Sequence, residues 1–169
     1  MGLDMYLEIR KNEYRSKYHK DKGSRLKLEY PKDITEFIPN LTDLTISRKT
    51  NYQVGYWRKA NQIHNWFIQN CADRDECGDP IDDCRPIEIT VDNLEELLEA
   101  CKKVLEDHSL ASLLLPTQSG FFFGSTDYDE YFFEDIKNTI EIIEPVIKFA
   151  KHKLEIKDYI WEVWFQASW

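Results

Sequence analysis

Residues 3–10 read LDMYLEIR, and their alternation decides the fold. Leu3, Met5, Leu7 and Ile9 are apolar, and Asp4, Tyr6, Glu8 and Arg10 stand between them. A period of two is the pattern of a strand with one buried face and one wet face. The far end of the chain answers it. Residues 154–166, dense in Tyr, Trp and Phe with mixed alternation, also predict a strand. Between these ends the period turns helical. Residues 57–71, WRKANQIHNWFIQNC, set Ala60, Ile63, Phe67, Ile68 and Cys71 in one stripe at 100° per residue, which predicts a helix beginning at Trp57. Arg85-Pro86 leads into a short strand over residues 87–91. Asp92, with Glu95 as capping-box partner, predicts the start of a second helix. Its Leu94, Leu97, Leu98, Cys101, Val104 and Leu105 make the cleanest apolar face in the chain. Ser125 or Thr126 predicts the cap of a third helix, with Asp127 and Asp129 in its first turn. Phe132, Ile136, Ile140, Ile143 and Ile147 supply its apolar stripe, and Pro145 predicts a kink or an end near Glu144. Residues 11–50, broken by Gly23, Pro31 and Pro39, predict long connections with a short strand or turn of helix. Together these define an α+β class. A single domain over residues 1–169 is expected, with a small mixed or antiparallel sheet that includes both terminal strands and packs on about three main helices.

Composition limits the function. The chain has 169 residues, 22 Lys plus Arg and 31 Asp plus Glu, for a formal net charge of −9. Extended nucleic acid is therefore not an expected partner, because that attraction needs clustered positive charge. The one basic stretch, Arg15, Lys17, Lys20, Lys22, Arg25 and Lys27, is interleaved with Glu13, Asp21 and Glu29 and reads as a solvated loop. No apolar run approaches the roughly 20 residues of a membrane span. The opening MGLDMYLEIRK carries charges where a secretory signal has none, so the expectation is a cytoplasmic protein with no membrane partner. Cys71, Cys77 and Cys84 are spaced too widely for a common zinc knuckle, and no cofactor or metal is expected.

Two segments carry candidate chemistry. The first is one margin of the 57–71 helix: Trp57, Arg58, Asn61, His64 and Asn65, with Trp66 on the opposite side, where a bare helix would face water. Arg offers a planar fork to phosphate or carboxylate, His titrates near neutrality, Asn reads a base or sugar edge, and Trp stacks on a ring. The plainer reading is that Asn61 and His64 are satisfied polar groups at the edge of a core. The second is SGFFFGS, residues 119–125. Gly120 and Gly124, followed by Ser125, free the backbone to offer N–H groups near a helix start, with Tyr128 and Tyr131 at the rim. Asp127 and Asp129 work against an anion there. No nucleophile elbow, HExxH or Cys–His spacing is present.

MGLDMYLEIRK, YWRKANQIHNWFIQN, PTQSGFFFGSTDYDEYFFEDI and the closing Gln166-Ala167-Ser168-Trp169 resemble a group of small proteins encoded by bacteriophages and prophages. The resemblance implies a setting, a viral protein in a bacterial cytoplasm, more than a reaction. Small phage proteins that sequester host immune signalling nucleotides offer an analogy of setting. The leading expectation is a non-catalytic accessory protein that binds a small nucleotide-like ligand, acting as a homo-oligomer. The alternatives are an inhibitor of a host protein, or a nucleic-acid mimic, and an enzyme that pairs His64 with Asp127 or Asp129.

Overall fold

The computed structural model describes residues 2–15, 32 and 46–169. The basic stretch from Lys17 to Lys27, and Gly23, Pro31 and Pro39, lie outside the described residues. Four strands form one antiparallel sheet: β1 (Asp4–Arg15), β2 (Ile46–Arg58), β3 (Ile87–Ile89) and β4 (Trp161–Ser168), in the spatial order β2-β1-β4-β3. The helices are α1 (Asn61–Cys71), α2 (Val91–Glu106), the short α3 (Ala111–Leu114) and α4 (Glu130–Glu155). The sheet contains the first and last strands, as the terminal alternation predicts, and of the mixed and antiparallel arrangements it is antiparallel.

Alternation sets the two faces. Leu3, Met5 and Leu7 are fully buried, and they share the inner face with Trp57, Val163, Phe165 and Ala167. Helices cover this face. Phe67 of α1 stacks on Phe165 with ring centroids 4.2 Å apart. The Trp57 Nε1–H donates to Thr139 Oγ1 of α4 at 2.9 Å, in the core, and that hydroxyl donates to the Asp135 carbonyl one turn back. The buried Trp is therefore polar-satisfied as well as packed. The opposite face carries Tyr6, Tyr56, Trp164, Glu8 and Arg10, with the Arg10 guanidinium 4.5 Å above the Trp164 ring. Among the described residues, no helix is long and apolar enough to cross a membrane.

Several boundaries differ from expectation. Residues 11–15 and 46–50, expected as connections with a short strand or turn of helix, belong to two long strands, the second of which runs on to Arg58. Helix α1 begins at Asn61, so Trp57 and Arg58 belong to β2. Trp66 does not face water: it is 8% exposed, because α1 lies between the sheet and α2 and is buried almost all round. Helix α2 is capped by Thr90, whose side chain and that of Asn93 form the reciprocal box, in place of Asp92 and Glu95. Helix α4 is capped by the Asp129 side chain, which accepts from the Phe132 N–H at 3.1 Å, in place of Ser125 or Thr126. Pro145 does not end α4, which continues to Glu155. Pro145 and Glu141, whose carbonyl loses its partner, are both exposed, and Ile143, Val146 and Ile147 keep the helix docked on either side. The last strand begins at Trp161, since the helix occupies residues up to Glu155.

Candidate functional site

The turn from β2 into α1 is tight. Lys59 takes φ 62°, its N–H donates to the Leu3 carbonyl, and its own carbonyl accepts from the Asn61 N–H. Asn61 then ties the start of α1 to a loop more than fifty residues away. Its amide donates to the carbonyls of Phe123 (3.1 Å) and Ser125 (2.7 Å), and its Oδ1 accepts from the Gln118 N–H (2.9 Å). Asn65 donates to the Pro116 carbonyl at 2.9 Å. A side-chain amide is the group for this work, because it both donates and accepts like the backbone it pairs with. The two candidate segments of the sequence therefore meet, and Asn61 and Asn65 join them.

His64 sits beneath this junction and is fully buried. Nδ1 lies 3.2 Å from Gln118 Oε1. Nε2 lies 3.3 Å from Asp82 Oδ1, near enough for an ion pair and out of line for a hydrogen bond, so both atoms are buried without one. Phe123 and Trp169 wall the ring edge-on, at centroid distances of 5.1 Å each. His64 thus joins α1 to three distant segments: the loop that holds Asp82, the 116–128 loop and Trp169. Its carboxylate neighbour is Asp82. Asp127 instead accepts from Ser125 Oγ, and Asp129 caps α4.

Outside this sealed junction lies a small cationic corner. Arg58 and Lys59 are exposed, and neither side chain makes a hydrogen bond or salt bridge among the described residues. They converge at the N-terminus: a Cβ on Gly2 would stand 3.5 Å from Lys59 Cε and 3.9 Å from Arg58 Nε. Gly124 closes on the same corner. It has φ +90°, where an L side chain is strained, and a Cβ there would come within 3.1 Å of Lys59 Cβ. Gly120 is also obligatory, since a Cβ would meet the Phe123 ring at 2.8 Å. The turn between these glycines throws Phe121 outward, 96% exposed, while Phe123 goes into the core. Ser125 is exposed beside Gly124, and Asp127 marks the acidic limit of the corner. Asp4 faces Arg58 across the strands and accepts from Tyr56 OH at 2.5 Å, a bond that raises the Tyr56 phenol above its usual pKa.

The predicted residues thus fall into two sets. Trp57, Asn61, His64, Asn65 and Trp66 are built into the scaffold. Arg58, Gly124 and Ser125 surround the open corner, and Gly120 opens the same turn against the Phe123 ring. Tyr128 is part-exposed on the loop, with its hydroxyl 3.4 Å from the Thr117 N–H, and Tyr131 is 76% exposed on the first turn of α4. Sequence reasoning missed Lys59, Asp82, Gln118 and Phe121. For Lys59 a signal existed: residues 44–72 contain no Asp or Glu, in a chain of charge −9. Arg48, Lys49, Arg58 and Lys59 are the only charges in that window. For Asp82 and Gln118 there was none, because only the fold brings them to His64.

Among the described residues, no three His, Cys, Asp or Glu side chains converge to hold a metal ion. All four cysteines are unbridged, and burial pushes the thiols of Cys71 and Cys101 up to about 12, out of the range of ready reactivity. No family model matches the chain, and no curated protein or solved structure matches it either.

Proposed function

We propose that the protein binds a small phosphorylated, nucleotide-like ligand at the corner formed by Arg58, Lys59 and the 120–125 turn, and holds it without turning it over. The observation that carries this reading is a pair of exposed cations that make no side-chain hydrogen bond or salt bridge among the described residues, in an acid-free window of an acidic chain. Two adjacent cations beside a glycine-opened turn suit a phosphate, and the outward Phe121 ring offers a base or sugar a surface to stack on. The resemblance to bacteriophage proteins extends the reading to sequestration of a host signalling nucleotide.

Isothermal titration calorimetry against ADP-ribose and cyclic dinucleotides tests it. Binding is expected for one of them, weakened at least about tenfold in the double variant Arg58→Ala/Lys59→Ala, since a contact to a charged group contributes about 1.5–3 kcal/mol. Absence of heat with every nucleotide, or equal affinity in the variant, contradicts it. A second reading, turnover, rests on the 3.3 Å approach of Asp82 to His64 Nε2 and requires the loop over the buried ring to open. Chromatography of the nucleotide after incubation separates the two: recovery of intact ligand supports holding, and a new product supports turnover.

A further inference from the structure

The sheet has two edges of very different kinds. β3 ends one side with three residues, too short to template a partner. β2 ends the other with thirteen, and among the described residues nothing pairs with its outer side. Its register with β1 runs without interruption from Ile46 opposite Arg15 to Gln53 opposite Glu8, and a bulge at Val54 then breaks it. Residues 47–49 and 51–53 are exposed. A regular, open edge about eight residues long therefore precedes the bulge, long enough for main-chain pairing with an added strand.

Charge says what that strand is. The edge lies in the acid-free window, and its two cations are consecutive, Arg48 and Lys49. Consecutive strand residues point to opposite faces. Arg48 is paired in register with Glu13 and reaches its carboxylate only at 3.9 Å, while Lys49 is opposite Asn12 and has no ionic partner among the described residues. A second copy of β2 would bring like charges together and is disfavoured. We propose that residues 46–53 take up an extended acidic peptide as a fifth strand, one with two consecutive acidic residues, the first meeting Arg48 on the helix side and the second meeting Lys49 on the open side, or the reverse.

The test is fluorescence anisotropy with a labelled octapeptide of Val and Thr carrying a central Glu-Glu, against the same peptide with a central Lys-Lys. Binding of the Glu-Glu peptide alone is expected. It should weaken with added salt and fall at least about tenfold in Arg48→Glu/Lys49→Glu, whose fold is checked by circular dichroism. Arg48→Gln/Lys49→Gln should give an intermediate loss if the charge-reversed variant misfolds. Amide exchange should slow, only when peptide is present, at those amides of residues 46–53 that point away from β1, because the alternate ones already pair with it. Equal binding of both peptides, no effect of either variant, or protection of these amides without peptide overturns the proposal, the last by assigning the edge to the chain itself or to a second copy. Arg58→Ala/Lys59→Ala should bind the peptide normally, so this result stands apart from the fate of the ligand corner.

Discussion

Asn61 and Arg58 lie three residues apart in sequence and do opposite things. Asn61 is 1% exposed and makes three hydrogen bonds to a distant loop. Asn61→Ala leaves two carbonyls and an N–H unpaired and should cost about 2–4 kcal/mol in urea unfolding. Arg58→Ala touches nothing that holds the fold and should stay within about 0.5 kcal/mol. Both residues were visible in the sequence as members of one polar margin. Their roles were not, because the Phe123 and Ser125 carbonyls that claim Asn61 are 62 and 64 residues away. Asp135 gives a pH prediction. Burial raises its carboxyl from 3.8 to about 6, against the opposing bond from Gln62. A carboxyl whose folded pKa lies above its unfolded value favours folding when protonated, so its contribution is fullest below pH 3.8 and is lost as pH rises to about 6. Asp135→Asn should abolish that part of the decline in melting temperature between pH 4 and 6, as followed by calorimetric melts, and raise stability at neutral pH. An unchanged profile would contradict the assignment.

At the scale of elements, periodicity found the existence of most helices and strands and misplaced their ends. The helical stripe ran back to Trp57 because that strand residue is as buried as the helix that follows. Trp66 was misread because the amphipathic rule assumes one wet face, and α1 has almost none. β2 was missed as a strand because it is an edge: Tyr52, Val54 and Tyr56 are exposed, and the bulge at Val54 breaks the alternation. The contact between this strand and α4 is close. A Cβ on Gly55 would fall 2.5 Å from Ile142 Cγ2 and 3.2 Å from Leu7 Cβ. Gly55→Ala should therefore destabilise by about 1–3 kcal/mol by overpacking. Ile142→Ala added to it should recover part of the loss relative to the sum of the single changes, as a double-mutant cycle of thermal melts will show. Strict additivity would mean that α4 does not rest on Gly55.

For the whole molecule, the pattern of charge divides binding from scaffold. The −9 net charge argues against extended polyanions, and the acid-free window concentrates four cations along β2 and its exit. The α+β class and a sheet that includes both chain ends were legible from the terminal alternation, since period-two patterning survives wherever one face is buried; that every pair is antiparallel was not. The separation of scaffold from open corner was not, because it depends on which polar groups the fold pairs with one another. Amide NMR during titration with ADP-ribose and cyclic dinucleotides tests that separation most directly. The nucleotide that binds should perturb Lys59, Phe121, Gly124 and Ser125 and leave unmoved the separate cleft lined by Cys71, Asp73, Arg85, Glu88 and Trp164. Perturbations centred on that cleft, or none with any nucleotide, would contradict it.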